Sequence, residues 1–421
     1  MTDVLRELHV WVRSRHVGLL QEIKPSSLSL PEYRFAYDSK VKKEDFVSWT
    51  MPVAKKEFVV KRFFPAFDAN LPEGARLSML QRAGKLVRTD DSFGIAAIVG
   101  SFFPGVVQLT VSGDAAPSPL PTVPVFTDSD GAQKWFTRIM TEYGFTHGIS
   151  GVMEKMFTGD PGSDAKIAVT TATHIVKTFD AYVYPFLNTN EWLCLNAARY
   201  SGLEVPNVTL SSDGSLLFVE RFDLVQGERI RFEEMGSLSG RLSREKYMGT
   251  HEDMANSIED FVPIKDGAQY LAKIALLKNI ALTVAVGNGD FHIKNIGLIG
   301  DGHHVKLSPT YDVVSTLAYL QDGETEATAL NLSWDNYSKR WWSGCELMAF
   351  AENVLYLDKN DAENALFDVS NGVKKGIEDI VAQIAKHPDF VNIGNKMRLE
   401  WESGINLILP DTTKPMSSPR G

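Results

Sequence analysis

The sequence contains very little cysteine: Cys194 and Cys345 are the only two in 421 residues. Two thiols are too few for a disulfide framework and too few for a cysteine-based metal site. We expect both to be reduced structural thiols, as in a protein of a reducing compartment. The composition therefore argues against a small disulfide-stabilised fold and against a cysteine-ligated zinc site.

We also expect neither a secretion signal nor a membrane span in this sequence. Residues 1–17 carry scattered charges and contain no apolar core of the kind that signal peptides have. The most apolar run, residues 274–286, is interrupted by Lys278 and Asn279 and is too short to cross a bilayer. We therefore expect a cytoplasmic protein with no membrane partner.

Positive charge is in deficit, since 43 Lys and Arg stand against 53 Asp and Glu, which gives a formal net charge of −10. Binding to nucleic acid depends on basic side chains that neutralise phosphates. The balance argues against a surface that binds nucleic acid as a whole, although a local basic patch is compatible with it. No direct nucleic-acid binding by the isolated chain is expected.

The first part of the chain has the pattern of a small β-rich domain. Residues 6–20 alternate apolar and polar side chains around Ser14–Arg15, which predicts a hairpin. Residues 33–37 and 57–64 are typical of further strands or short helices, and residues 76–88 of a helix. Four prolines within residues 114–124 then predict a linker or surface connection, with a domain boundary near 115–125.

The rest of the chain changes from strands to helices. After residue 145 the patterns predict a turn, two strands, a helix that ends near Gly202, and a strand pair around Asp213–Gly214. Beyond residue 225 the clearest helices are 267–287, 342–356 and 372–386. This order predicts an α+β fold with a cleft between a β-rich lobe and a mostly helical lobe. The predicted segments are 1–118, 119–225, 226–410 and a flexible tail at 411–421.

Residues 286–299 and 305–316 carry the sharpest chemical pattern. They read VGNGDFHIKNIGLI and VKLSPTYDVVST, and Asp290 and Asn295 are five positions apart, as in a kinase catalytic loop. In such loops the Asp accepts the proton of the attacking hydroxyl and the Asn holds Mg²⁺. Asp312 can supply a carboxylate that bridges Mg²⁺ to the phosphates. Taken alone, the same residues also fit a polar turn between a helix and a strand.

These motifs resemble those of HipA-like kinases, the toxins of bacterial toxin–antitoxin pairs. The resemblance continues upstream in the same order and covers most of the chain. It includes SGVMEK (150–155), HIVK (174–177), the helix at 190–206, LFVERFD (217–223) and KYMGTHEDM (246–254). The first hairpin and FFPAFDANLPEG (63–74) are similar to the small N-terminal domain of that family. Met153 departs from the family pattern, which has Gln there.

The resemblance implies a kinase-like bilobal core that uses ATP and Mg²⁺, and it assigns roles to individual residues. Lys177 would contact the phosphates and Glu191 would hold Lys177 by an ion pair. Ser150 and Gly151 form a turn that approaches the phosphates, and Ser150 is the candidate for autophosphorylation. The remaining positions expected to contact nucleotide are Lys155, Glu220, Phe222, His292 and Lys294.

The implied activity is transfer of phosphate from Mg-ATP to a Ser or Thr of a cellular protein, which would inhibit growth. A component of the translation machinery is one candidate substrate. The resemblance also implies a separately encoded DNA-binding antitoxin of the HipB type as partner. Two alternatives stay open: a small-molecule kinase similar to aminoglycoside phosphotransferases, and an inactive kinase fold that acts as a binding or co-repressor module.

Overall fold

A computed structural model of the chain gives its architecture. It describes residues 3–24, 31–73, 77, 91–114, 116–117, 131–132, 134–136, 138, 166–170, 173–179, 182–302, 304–321, 324–330 and 339–409. The chain divides into two compact units. Unit 1 comprises Met1–Thr178, Ser211–Lys246 and Ile299–His303, and unit 2 comprises Phe179–Leu210, Tyr247–Leu298 and His304–Gly421.

The described elements mix strands and helices along the whole chain. The strands are β1 (Val4–Val12), β2 (Arg15–Ile23), β3 (Glu32–Tyr37), β4 (Glu57–Val60), β5 (Val107–Thr110), β6 (Lys166–Thr170), β7 (His174–Phe179), β8 (Val208–Leu210), β9 (Leu217–Glu220), β10 (Leu224–Val225), β11 (Glu228–Arg229), β12 (Arg231–Glu234), β13 (Gly297–Gly300) and β14 (Val305–Leu307). The helices are α1 (Pro65–Asp68), α2 (Ser92–Val99), α3 (Leu187–Tyr200), α4 (Met235–Leu238), α5 (His251–Phe261), α6 (Ala268–Val286), α7 (Gly344–Asn353), α8 (Lys359–Lys386) and α9 (Val391–Ile408). The predicted α+β class is confirmed.

Unit 1 begins with an antiparallel sheet of strand order β4-β3-β2-β1-β5. Leu8, Leu20 and Phe35 are register partners across β1, β2 and β3, and each is at most 1% exposed. Their shared face explains the alternation in the sequence, because residues two apart on a strand point to one side. The hairpin turn uses Arg13 and Ser14, with φ of +48° and +62°, one position before the predicted centre.

The second part of unit 1 contains a sheet in which β6, β7 and β9 are neighbours. The pairing of β7 with β9 is antiparallel and places Lys177 opposite Leu217. Between β8 and β9 the chain turns at Gly214, whose φ is +73°, and the backbone N–H of Ser215 donates to the carboxylate of Asp213 at 3.0 Å. The two strands and the turn predicted from residues 208–223 are therefore present.

Strand β12 is anchored to the N-terminal domain by two buried charged side chains. The guanidinium of Arg231 lies 3.7 Å from the ring centre of Phe46 and donates to the Val47 carbonyl at 2.9 Å. Burial lowers the pKa of Arg231 to about 10. Glu233 accepts a hydrogen bond from Ser48 Oγ at 2.7 Å, and burial raises the pKa of this carboxyl group. The N-terminal domain and β12 thus form one packed body.

Unit 2 is built on long helices that approach each other closely. A Cβ at Gly404 of α9 would lie 2.5 Å from the carbonyl oxygen of Ala285 on α6, and a Cβ at Gly376 of α8 would lie 3.0 Å from Cβ of Ala197 on α3. Only glycine permits the first of these contacts without displacement of the backbone. Helix α3 is followed by Gly202, with φ of +75°, as its sequence predicts.

The predicted helices of the C-terminal part are present, with one clear difference in length. The segment predicted as 372–386 belongs to a helix that already begins at Lys359. Asp358 caps this helix by accepting from the N–H of Asn360 at 2.9 Å, and buried Ala362, Leu366 and Val369 continue the helical spacing. The helix predicted for 76–88 lies outside the described residues, except for residue 77.

The most apolar segment forms a longer helix than the run at 274–286. Within the described residues, Lys265–Val286 is long and apolar enough to cross a membrane, with a mean hydropathy of 1.3. However, 67% of the 18-residue apolar stretch of this helix is buried inside the protein, which is typical of a core helix. The cytoplasmic location and the four segment boundaries stay predictions.

Candidate active site

The loop that carries Asp290 begins where α6 ends. Gly287 caps the helix with φ of +64°, a conformation that favours glycine. The side-chain oxygen of Asn288 then accepts a hydrogen bond from the N–H of Asp290 at 3.1 Å, and the N–H of Gly289 donates to Thr316 Oγ1 at 2.8 Å. These hydrogen bonds fix the backbone of the turn after α6 and thereby position Asp290.

The carboxylate of Asp290 is half exposed and has polar neighbours. The hydroxyl of Tyr247 donates to Asp290 Oδ1 at 2.8 Å, and Nε2 of His292 lies 4.0 Å from the same oxygen. The side chain of Asp290 is 48% exposed, whereas that of His292 is 7% exposed. A half-exposed carboxylate at the end of a buried helix can accept a proton from an incoming hydroxyl group.

The structure brings Asn295 and Asp312 together, as the motif predicts. Asn295 Nδ2 donates to Asp312 Oδ2 at 3.1 Å, and Asn295 Oδ1 accepts from the N–H of His292 at 3.0 Å. A carbonyl oxygen has two lone pairs, so Oδ1 can accept this bond and still bind a cation. Asp312 has φ of +56°, which turns the chain sharply at this position.

The oxygen atoms of this pair fit a hard cation such as Mg²⁺. Within the described ranges, no three His, Cys, Asp or Glu side chains converge on one point. Magnesium accepts one or two protein oxygens and completes its coordination with water and substrate phosphates. The amide oxygen of Asn295 and the carboxylate of Asp312 supply such oxygens. The donor set therefore fits the predicted cofactor.

The segment around Asp312 is held by buried amide side chains that the sequence motifs do not mark. Asn190 on α3 accepts from the N–H of Ser315 at 2.8 Å and donates to the Ser315 carbonyl at 3.1 Å. Asn279 on α6 accepts from Thr310 Oγ1 at 2.9 Å. Asn279 was visible in the sequence as an interruption of the apolar run at 274–286, whereas Asn190 lies among other polar residues at the start of α3 and gave no such signal.

Tyr311 and Lys294 connect the two motifs directly. The hydroxyl of Tyr311 donates to the backbone carbonyl of Lys294 at 2.7 Å. The N–H of Lys294 in turn donates to Nδ1 of His292 at 3.3 Å. The predicted nucleotide-binding residues His292 and Lys294 therefore lie in the same loop as Asp290, where His292 supports the loop from inside.

Among the other predicted residues, the structure places some and does not describe others. Lys177 lies half-buried on β7 in unit 1, and Glu191 is 1% exposed on α3 in unit 2, so their ion pair stays a prediction. Glu220 is exposed at the end of β9, and Phe222 packs edge-on against Phe232 with ring centres 5.1 Å apart. Residues Ser150, Gly151 and Lys155 lie outside the described residues.

Comparison with known families decides the relationship that the motifs indicate. A family model described as the HipA-like C-terminal domain matches residues 147–385, and a model of the HipA N-terminal domain matches residues 8–110. The first match alone covers more than half of the chain. The protein belongs to the HipA family.

Two curated relatives and one solved structure extend this finding. Putative kinase Y4dM of Sinorhizobium fredii is 27% identical over 64% of this chain, and the match spans 66% of the relative, just under two thirds of its length. Putative kinase Y4mE of the same organism is 25% identical over 75% of this chain and 78% of the relative. The HipA chain of a Shewanella oneidensis HipA, HipB and operator DNA complex has a TM-score of 0.67 at 18% identity, covering 94% of this chain and 96% of that chain. The last match shows that the HipA fold is shared.

An ion pair fixes the residues that follow Glu220 in the LFVERFD segment (217–223). Arg221 donates to both oxygens of Asp223, at 2.9 and 2.6 Å, and the N–H of Gly105 adds a bond of 2.7 Å. Burial raises the pKa of Asp223, but these bonds outweigh it and leave the pKa below its usual value. Asp223 thus holds the end of this segment against Gly105 of the N-terminal domain.

Proposed function

We propose that this protein is a Mg-ATP-dependent Ser/Thr protein kinase and the toxin of a toxin–antitoxin pair. The observation that carries the proposal is the cluster of Asp290, Asn295 and Asp312. Asn295 and Asp312 are hydrogen-bonded to each other, and Asp290 lies five positions before Asn295 in the loop after the buried helix α6, with the spacing of a kinase catalytic loop.

In this proposal each residue of the cluster has a distinct role. Asp290 orients the acceptor hydroxyl and takes its proton as the oxygen attacks the γ-phosphorus. Asn295 and Asp312 hold Mg²⁺, which neutralises charge on the phosphates when it is bound. The bond between the γ-phosphorus and the bridging oxygen breaks, and ADP leaves. Most of the rate enhancement then comes from positioning and electrostatic stabilisation.

The nucleotide side of the proposal rests on residues of the upstream motifs. Lys177, positioned by Glu191, contacts the α- and β-phosphates, and Ser150 and Gly151 approach them from the Gly-containing turn. The backbone at Glu220 and Phe222 meets the adenine edge. Lys155, His292 and Lys294 complete the predicted nucleotide contacts. Phosphorylation of Ser150 adds about two negative charges beside the phosphates and thereby opposes ATP binding.

The toxin assignment is supported by family membership and by the names of similar proteins. The two Sinorhizobium relatives are named as putative kinases, and the Shewanella structure contains HipA with HipB and operator DNA. By analogy we propose a HipB-type antitoxin as partner and a cellular protein, with a component of the translation machinery as one candidate, as substrate.

The test is incubation of the purified full chain with Mg-ATP beside an Asp290→Asn variant. The readouts are intact mass, phosphosite mapping and ADP formation in the presence of a bacterial lysate. The proposal predicts protein-bound phosphate with the wild type only, with Ser150 among the sites. Transfer to an added aminoglycoside without transfer to protein would instead identify a small-molecule kinase. ATP binding with no transfer to any acceptor would identify a binding module, provided that the starting mass carries no phosphate.

A further inference from the structure

We propose that Tyr247 is a positioning residue for Asp290, and that the hydrogen-bonded residues 240–246, which precede it directly in the chain, fix its backbone. We call these residues the anchor segment. The proposal rests on the proposed function in naming Asp290 the base. Its structural part, the ordering of the loop at 287–296 by Tyr247, can be tested without catalysis.

Tyr247 contacts the catalytic loop in two ways. Its hydroxyl donates to Asp290 Oδ1 at 2.8 Å, and its ring packs edge-on against the ring of His292, with centres 5.2 Å apart. A hydroxyl bond to a carboxylate is charge-assisted and therefore stronger than a neutral hydrogen bond. Because the carboxylate of Asp290 is 48% exposed, water alone would leave it several rotamers. The tyrosine selects one of them.

Arg62 of the N-terminal domain holds the anchor segment at both of its ends. Its guanidinium donates to the backbone carbonyl of Gly240 at 2.5 Å and to the carboxylate of Glu245 at 3.0 and 3.2 Å. The same carboxylate accepts from the N–H of Leu242 at 2.9 Å. One arginine thus joins the start of the anchor segment to a residue two positions before Tyr247.

Two acidic residues of the N-terminal domain add contacts to the same segment. Asp68 accepts from the N–H of Ser243 at 2.6 Å, and its backbone carbonyl accepts from Ser243 Oγ at 3.0 Å. Glu73 forms an ion pair with Lys246 at 3.2 Å. The residue directly before Tyr247 in the chain is therefore itself held by an ion pair.

The chain after Tyr247 is fixed as well. Thr250 caps α5, with its N–H donating to Asp253 at 2.9 Å and its hydroxyl accepting from the N–H of Asp253 at 3.2 Å. A Cβ at Gly249 would lie 2.5 Å from Cγ2 of Ile293, so this backbone packs directly on the catalytic loop. The backbone is therefore fixed both before and after Tyr247. For this reason Tyr247 can restrict the side chain of Asp290, although the tyrosine residue is 44% exposed.

The first test is hydrogen–deuterium exchange of the full chain, read on peptides that cover residues 287–296. Tyr247→Phe removes the hydroxyl, and Arg62→Ala releases the anchor segment. Both should accelerate exchange in this loop by about threefold to tenfold, as expected for loss of one hydrogen bond. Tyr356→Phe and Arg398→Ala are matched controls at exposed positions of unit 2 and should leave it unchanged. Wild-type exchange in both Tyr247→Phe and Arg62→Ala overturns the proposal.

The second test measures phosphoryl transfer. Tyr247→Phe should lower kcat by about fivefold to tenfold and leave KM for ATP unchanged, because the base is affected and the nucleotide is not. The double variant with Arg62→Ala should lose less than the product of the two single losses. An increased kcat would overturn the proposal, since the tyrosine hydroxyl would then block the acceptor position. If the wild type transfers no phosphate, the proposed function fails, whereas the exchange result still decides whether Tyr247 orders the loop.

Discussion

The five-stranded sheet of the N-terminal domain is held by aromatic side chains, with Phe35, Phe67 and Phe93 at most 1% exposed. The segments that carry the candidate active site are held differently. Their backbone is fixed by the amide groups of Asn190, which is completely buried, and Asn288, which is 1% exposed. One region is stabilised by apolar packing, and the other is positioned by directional hydrogen bonds.

The two regions meet two different requirements, which are stability and exact position. The stabilising free energy of apolar packing is roughly proportional to the buried apolar area and has no preferred direction. Such packing therefore supplies stability more than exact position. Hydrogen bonds depend steeply on distance and angle, so they supply position. We therefore expect substitutions in the sheet to change stability far more than activity per folded molecule. Substitutions in the amide network should change activity more than stability.

The largest loss of stability is expected for Phe35→Ala in the sheet, and a fall in activity with it would contradict the comparison. Phe35 is fully buried, and its ring centre lies 4.6 Å from that of Tyr37 and 6.0 Å from that of Phe67. Its removal should cost about 3–5 kcal/mol of unfolding free energy, because a cavity remains. Urea denaturation measures this, and the kcat of the molecules that remain folded should match the wild type.

A slightly smaller and pH-dependent loss is expected for Asp223→Asn, which removes one charge of a buried pair. The cost should be about 3 kcal/mol at pH 7. The folded-state pKa of Asp223 is lowered, so its stabilisation is present above the unfolded value of 3.8 and is lost as the pH falls through the folded value. Urea denaturation of both proteins at several pH values should show the difference shrinking in acid. A constant difference would contradict the ion-pair explanation.

Asn190→Ala tests the amide network itself. It leaves the buried N–H and carbonyl of Ser315 without their side-chain partner, which should cost about 1–3 kcal/mol. We expect transfer activity to fall about tenfold or more, since Asp312 lies three positions before Ser315. Asn353→Ala, at a helical position near the surface, is the matched control. If Asn190→Ala and Asn353→Ala had equal activity, the claim that the buried amide groups position the active-site segments would be contradicted.

The smallest effect is expected for Lys306→Ala. Its ion pair with Glu204 is exposed on both sides, with side chains 57% and 58% accessible. Such pairs contribute about 0–1 kcal/mol, and salt screens them. Neither the midpoint of unfolding nor the rate of transfer should change measurably. A larger loss would mean that surface charges also position the active-site segments.

Much of the site and fold was predictable because it depends on local patterns. The strand alternation before Arg13 and the helix end at Gly202 follow from periodicity and turn chemistry. The pairing of Asp290 with Asn295 follows from the spacing of a known catalytic motif. The role of Asn190 was not predictable, since its partner Ser315 lies 125 positions away. Likewise, the link from Arg62 to Glu245 spans 183 positions, and no single-sequence pattern encodes such a contact.

The most direct test of the central claim, that Asn295 and Asp312 form a magnesium–nucleotide site, is calorimetric titration of ATP into the wild type and Asp312→Asn. Each protein is titrated once with excess Mg²⁺ and once with EDTA. We predict that Mg²⁺ tightens ATP binding to the wild type and has little effect on the variant, because the anionic ligand of the pair is lost. If Asp312→Asn keeps the full magnesium dependence of the wild type, the site has been assigned to the wrong residues.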